Sequence, residues 1–223
     1  MSEPKIMYRY HLRFCKKDTA VWISHLDMVR TFSRLFQRAG IPIVYSEGFN
    51  PHPKIVFAVP LPLGVESNTE LLEFKLDKPM SSEIIRQKLS EVAPLGLDVI
   101  SVSEASYKFS EIEYAEYLFL INGHKTEDVL RVIHEFFAKT EVLILKKTKS
   151  GEKVKDIKPS VAQISVHDNC LRAFLSVNSD FFLGPDLFLQ AFNEVAATCG
   201  VSAVVPERIV RNALTGKSLD KYY

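Results

Sequence analysis

Hydrophobic and polar residues alternate at the start of the chain. A period of two over residues 6–14 predicts a β-strand with one buried face and one basic face. The apolar side carries Tyr8, Tyr10, Leu12 and Phe14. The opposite side carries Arg9, His11 and Arg13.

The next periodic segment has helical spacing. Ser24 is a typical N-cap with Asp27 three residues later, and Gly40 followed by Pro42 is typical of a helix end. We therefore predict a helix between these residues. Its predicted apolar stripe is Leu26, Val29, Phe32, Phe36 and Ala39.

The rest of the pattern predicts two halves with the same element order. Domains over 1–104 and 114–223, joined by a connector at 105–113, are each expected to follow the order βαββαβ, with 41–53 inserted in the first. The fold expected is α+β, with two ferredoxin-like halves whose antiparallel sheets carry helices on one face. The predicted elements of the first half after the helix are strands at 55–61, 70–76 and 97–102 and a helix ending at 92. Those of the second half are strands at 117–121, 142–147, 163–166, 171–177 and 201–210, and helices at 126–137 and 185–197.

Composition sets few limits on function. The chain has 223 residues, 47% of them hydrophobic and 25% charged, and a net charge of +1. Any anionic partner must therefore be held by a local patch and not by the overall field. We find no apolar run that could serve as a signal peptide or membrane span, so we expect a cytoplasmic protein without a membrane partner.

The cysteines are few and widely spaced. Cys15, Cys170 and Cys199 form no CxxC pair, and their number is odd. This argues against a disulfide framework and against a cysteine-ligated zinc or iron–sulfur site. We expect neither a metal nor another cofactor.

Three arginines recur every four residues on the predicted helix. Arg30, Arg34 and Arg38 lie on one helical face, and the nearby acids do not interleave with them in the sequence. The planar guanidinium group suits phosphate, so this face is a candidate anion site. The alternative is an ordinary solvated face opposite the apolar stripe.

A constrained polar loop follows this helix at 45–54, with the sequence Tyr-Ser-Glu-Gly-Phe-Asn-Pro-His-Pro-Lys. Its aromatic ring can stack on a base, its amide can read a base edge and its lysine can meet a phosphate. A plain stiff crossover is the alternative. The residues predicted to bind an anion or RNA are Arg9, Arg13, Arg30, Arg34, Arg38, Tyr45, Phe49, Asn50, His52 and Lys54.

Histidines and lysines add two further hypotheses. His25 and His52 are candidate acid–base groups, although a histidine at a helix start is commonly a capping residue. A lysine-rich hairpin in the second half could contact RNA backbone or protect an edge strand from aggregation. Its members are Lys146, Lys147, Lys149, Lys153, Lys155 and Lys158.

The longest motif string resembles the radical-SAM-linked protein family, a bacterial domain fused to, or encoded beside, radical SAM proteins of the B12-binding type. It comprises the strand 8–14, the helix start 24–27, the arginine stripe, the segments 38–42 and 45–54, and the proline-rich segment 60–67. The resemblance implies that a radical SAM partner performs the chemistry. Family members are often encoded near ribonuclease and ribosomal-protein genes, which points toward RNA.

These observations leave three functions open. The first is a non-catalytic RNA-binding or substrate-presenting accessory protein for a radical SAM enzyme. The second is a metal-independent RNA endonuclease, by fold analogy with the CRISPR repeat-processing enzymes, with His25 or His52 as the catalytic group and Tyr45 and Lys54 nearby. The third is a protein-interaction module that contacts only the radical SAM partner.

Overall fold

The alternating segment at the start of the chain forms strand β1, Tyr8–Lys16, in the computed structural model, which describes residues 7–148, 151–178 and 181–219. Tyr10, Leu12 and Phe14 are buried, as the pattern predicts. The prediction of a basic opposite face is wrong at His11, which is also buried. The rings of Tyr107 and Phe109 pack against His11. These residues are distant from β1 in the sequence, so no local pattern in β1 predicts the contact.

The chain divides into two units, Met1–Glu111 and Ile112–Tyr223. In the first unit, short 3₁₀ turns at Asp18–Trp22 and Phe109–Glu111 accompany the longer elements. After β1 these are helix α1 His25–Arg38, strands β2 Ile55–Phe57 and β3 Glu66–Leu76, helix α2 Ser82–Val92 and strand β4 Val99–Glu104.

Antiparallel pairing arranges the strands of the first unit in the order β4-β1-β3-β2. β1 pairs with β3 from Tyr8 opposite Leu76 and with β4 on its other side, and β2 pairs with β3. Each helix packs its buried apolar side chains against the face of the sheet that carries Tyr10. One hydrophobic core therefore holds this unit together. The aromatic centre of that core consists of Tyr10, Phe14, Phe32, Phe36 and Phe74.

The buried face of α1 differs from the predicted stripe. Met28 and Leu35 are buried beside the correctly predicted Phe32 and Phe36, whereas the side chain of Leu26 is 59% exposed. Apolar residues on this helix form two overlapping stripes at helical spacing. The side on which the sheet lies determines which stripe is buried, and periodicity alone does not reveal that side.

The second unit begins with strand β5, Tyr114–Ile121, and helix α3, Thr126–Ala138. It continues with strands β6 Leu143–Thr148, β7 Gly151–Asp156, β8 Val161–His167 and β9 Cys170–Ser176, helix α4 Pro185–Thr198 and strand β10 Pro206–Thr215. Antiparallel pairs give the order β10-β5-β9-β8, and β6 pairs with β7 as a two-stranded ribbon.

In the second unit, β7 is the second strand of the predicted lysine-rich hairpin, although its charged sequence lacks an alternating apolar face. One strand boundary differs from the prediction. The alternation of 201–210 predicts a last strand that begins at Val201. The strand in the structure begins at Pro206. The side chain of Asn193 accepts from the N–H of Val204 at 2.7 Å and donates to its carbonyl oxygen at 3.0 Å, which holds this segment against α4 instead of in the sheet.

The protein is thus a mixed α and β protein, with four α-helices in the described ranges and mostly antiparallel strands. None of those helices has the length and apolar character needed to cross a membrane.

Candidate functional site

The start of α1 is held by its N-cap. The hydroxyl oxygen of Ser24 accepts from the N–H of Asp27 at 3.2 Å, and the hydroxyl donates to the Asp27 carboxylate at 2.7 Å. This bond, followed by one from Arg30, lowers the pKa of Asp27. The predicted cap is therefore confirmed, and it gives the arginine stripe a regular helical support.

The three arginines of the stripe are exposed but not equivalent. Arg30 pairs with Asp27 at 2.9 Å, so the first member of the stripe already has an acidic partner on its own helix. Within the part of the chain that the structure describes, the side chains of Arg34 and Arg38 have no hydrogen-bond or ion-pair partner. Two guanidinium groups one helical turn apart thus remain available to an anion.

Backbone and side-chain hydrogen bonds close the loop at 45–54. Tyr45 and Pro53 form an isolated antiparallel bridge. The N–H of Ser46 donates to the carbonyl oxygen of His52 at 2.8 Å, and the Ser46 hydroxyl accepts from the N–H of His52 at 2.8 Å. Gly48 has a φ of +118°, which a residue with a side chain rarely adopts. The loop is therefore a closed, shaped element whose tip projects from its base.

The tip presents an aromatic ring to solvent. Phe49 has a relative exposure of 111%, so neither face of its ring is covered. At the base, the Gln37 side-chain amide donates to the Tyr45 hydroxyl at 3.1 Å. Gln37 is three residues beyond Arg34 on α1, so this bond joins the loop base to the side of the helix next to Arg34. We call Arg34, Arg38 and residues 45–54 the loop surface.

The predicted arginines of β1 are engaged inside the first unit. Arg9 pairs with Glu73, and Arg13 donates from Nε to the Thr69 hydroxyl at 3.2 Å. The hydrogen bond with Glu73 raises the pKa of Arg9. These two side chains therefore have internal partners, unlike Arg34 and Arg38.

His25 lies at a small cavity at the N-terminal end of α1. Its ring packs edge-on against Phe57 with ring centroids 5.3 Å apart. The cavity holds about 20 Å³, which is room for about one water molecule. Lys16 and Glu70 also line it, and both are buried.

Lys16 is the last residue of β1, and its ammonium group donates to the carbonyl oxygens of Val21 at 3.2 Å and Ile23 at 2.9 Å. Sequence reasoning missed Lys16 and Glu70 because a charged side chain ordinarily indicates a solvent-facing position. The burial of Lys16 depends on a tertiary contact, since the 3₁₀ turn at Asp18–Trp22 brings backbone carbonyl oxygens to its ammonium group.

The structure separates the two candidate histidines. The cavity of His25 is bounded by Glu70, whereas the loop base continues through hydrogen bonds from Lys54 to Val44 and from Val44 to Lys75. His25 therefore belongs to the cavity at the start of α1, whereas His52 belongs to the loop at 45–54.

Two side chains of the lysine-rich hairpin contact other groups of the second unit. The ammonium group of Lys155 lies 3.7 Å from the centroid of the Phe181 ring, and that of Lys158 donates to backbone carbonyls at the end of α3. Lys149 and the side chains of Lys146 and Lys147 fall outside the described residues. Strands β6 and β7 do form the hairpin on which the cluster was predicted.

Comparison with protein families places these features in a known group. A model of a family described as an uncharacterized protein conserved in bacteria (DUF2344) matches residues 9–185. The chain belongs to this family. The matched segment includes every residue of the loop surface and both candidate histidines. The family description makes no connection to radical SAM enzymes. No curated protein matches the chain.

Proposed function

We propose that the first unit binds RNA through the loop surface and presents it to a partner, as a non-catalytic accessory of a radical SAM enzyme. The observation that carries the RNA part is a closed loop with a fully exposed Phe49, joined through Tyr45 to the helix of Arg34 and Arg38, whose guanidinium groups have no partner among the described residues. RNA recognition outside duplexes commonly combines basic groups with an aromatic stacking surface. The radical SAM part is supported by the sequence resemblance alone.

The local charge of the loop surface agrees with an anionic ligand. Arg34, Arg38 and Lys54 provide three cations against one carboxylate, Glu47. Because the whole chain has a net charge of only +1, attraction to RNA must come from such a local excess. The closed loop lowers the ordering cost of binding, since its base is already fixed.

We infer a ferredoxin-like arrangement for each unit as part of this proposal. The orders β4-β1-β3-β2 and β10-β5-β9-β8 support it, because in each the first and third strands of the βαββαβ order are central. This plan is also the basis of the analogy with RNA-processing enzymes, which remains an analogy of fold.

Salt dependence of RNA binding tests the proposal. With three phosphate contacts, the slope of log K against log salt should be about −2.1, so binding should weaken about 20-fold between 50 and 200 mM salt. The double variant Arg34→Gln/Arg38→Gln should reduce the slope to about −0.7, or roughly 3-fold over the same range. Fluorescence anisotropy of a labelled RNA measures both.

The matched control is Arg86→Gln/Arg131→Gln, which removes the same charge from exposed positions on α2 and α3. Its salt slope should equal that of the wild type. An equal loss in both double variants would mean that RNA senses only net charge, and the loop surface would not be the site. Absence of RNA binding by the wild type would end the RNA proposal.

The endonuclease alternative is tested in the same samples. His25 lines the cavity at the start of α1 and His52 lies in the loop surface, so each histidine is tested separately. Cleavage that persists in both His25→Ala and His52→Ala would contradict any histidine mechanism at these positions.

The accessory role needs a separate measurement. Tagged protein purified from a bacterium that encodes it, with and without ribonuclease, distinguishes the remaining possibilities. A radical SAM protein that co-purifies after ribonuclease treatment, and is lost with Arg34→Glu, would make the loop surface a protein interface. RNA lost with the same variant supports the RNA role.

A further inference from the structure

The geometry points to a strand preference: we propose that the loop surface takes a single strand, with one unstacked base on the Phe49 ring and successive phosphates at Arg38 and Arg34. This inference rests on the proposed RNA binding and adds the class of RNA and the pose. Duplex RNA, whose bases are already stacked, would gain nothing from the ring.

The state of the Phe49 ring is the first support. An aromatic ring with a relative exposure of 111% has both faces open to a planar group. Every nucleobase has such a face, so stacking is tolerant of sequence, but a paired base is covered by its neighbours. A-form duplexes are instead recognised through their shape, 2′-hydroxyl groups and phosphates.

The fixed loop base is the second support. Ser46 makes two hydrogen bonds with the backbone of His52, and Pro51 and Pro53 restrict the backbone on either side of it. A ring carried on such a loop loses little conformational freedom when a base stacks on it. A freely moving loop would lose much of the stacking free energy to ordering.

The position of the guanidinium groups is the third support. Arg34 and Arg38 are offset by one helical turn, about 6 Å along α1, which is comparable with the separation of neighbouring phosphates in a single strand. Gln37, three residues beyond Arg34 and on an adjoining part of the helix surface, donates to the Tyr45 hydroxyl. Phe49 is four residues beyond Tyr45, at most about 14 Å along the chain. A short strand can therefore reach both arginines and the ring.

The test compares three labelled RNA probes of about 10 nucleotides, a length within the range that such surfaces cover. They are an unstructured single strand, the same strand annealed to its complement, and the same strand with abasic central positions. Anisotropy gives Kd for the full-length wild type and for Phe49→Ala, Phe49→Trp and Leu95→Ala. Leu95 is an exposed apolar residue outside the loop surface and serves as the control.

We expect the wild type to bind the single strand more tightly than the duplex or the abasic strand. Phe49→Ala should weaken single-strand binding by about 5- to 150-fold and leave abasic-strand binding unchanged. Phe49→Trp should retain the preference, and Leu95→Ala should behave like the wild type. Since the Phe49 side chain is fully exposed, its substitution leaves the core intact.

Two results would overturn the inference while leaving RNA binding in place. One is equal or tighter binding of the duplex by the wild type. The other is an equal effect of Phe49→Ala on the intact and abasic strands, which would show that no base contacts the ring. If the wild type binds none of the probes, the proposed RNA binding itself fails.

Discussion

Acidification should weaken the first unit through one buried imidazole. The ring of His11 lies between Tyr107 and Phe109, with centroid distances of 4.6 and 4.8 Å. Neither of its nitrogens has a well-formed hydrogen bond within the described structure, and the nearest carboxylate oxygen, of Glu73, is 3.5 Å away. Burial lowers the pKa of His11, and the neighbouring charge of Arg9 acts in the same direction, against the opposing effect of Glu73.

The sign and size of the effect follow from linkage. The pKa of His11 in the folded state lies below its unfolded value of 6.5, so the unfolded chain takes up the proton first. The contribution of His11 to the free energy of unfolding is therefore fully present above pH 6.5. It is lost as the pH falls from 6.5 toward the folded-state pKa. One proton gives a slope of at most about 1.4 kcal/mol per pH unit, or at most about 2 kcal/mol lost at pH 5.

Glu73 does not obscure this pH window. Burial raises its pKa, but the hydrogen bond and charge of Arg9 outweigh burial, and the net pKa lies below the ordinary value of 4.5. Its contribution to the free energy of unfolding is therefore present above that pH and is lost only in stronger acid.

Urea unfolding at pH 7.5 and pH 5 measures the difference. Trp22 is the only tryptophan of the chain, so its fluorescence reports the first unit. His11→Phe keeps an aromatic ring between Tyr107 and Phe109 and removes the titrating group, so it should lose less stability on acidification than the wild type. His52→Gln removes an exposed histidine from the same unit and should retain the wild-type loss. If His11→Phe and the wild type lose equal stability, the assignment to His11 is wrong.

Three further changes test the packing of the first unit, each measured as a free energy of unfolding from the same fluorescence. Ser24→Ala removes the N-cap of α1 and should cost about 1 kcal/mol, and a cost near zero would mean that the cap is not needed. Gly96→Ala would place Cβ 2.4 Å from the Lys17 carbonyl oxygen at a φ of +82°, whereas Gly40→Ala has a similar φ and open space, so Gly96→Ala should be the more destabilising of the two. Phe32→Ala should cost about 3–5 kcal/mol because its ring is buried in the aromatic core, and a cost below that of Ser24→Ala would contradict this packing.

Local sequence determined the elements whose signals are short in range. The cap at Ser24, the end of α1 near Gly40 and the hairpin between β8 and β9 all depend on residues that are close together in the chain. The polar, constrained character of 45–54 likewise identified an exposed loop. In each case the interacting groups are near neighbours, so their spacing in sequence is also their spacing in space.

The tertiary structure decided what the same residues do. It buried His11 and Lys16, joined Arg9 to Glu73 across two strands, and gave Arg34 and Arg38 no partner within residues 7–148, 151–178 and 181–219. It also placed His25 against Phe57 at a cavity that Lys16 and Glu70 line. Burial and pairing depend on contacts between residues that are distant in sequence, and a local pattern carries no record of which distant side chain arrives. Arginine spacing therefore indicated a possible site, and only the tertiary contacts with Glu73 and Thr69 showed that Arg9 and Arg13 are engaged inside the first unit.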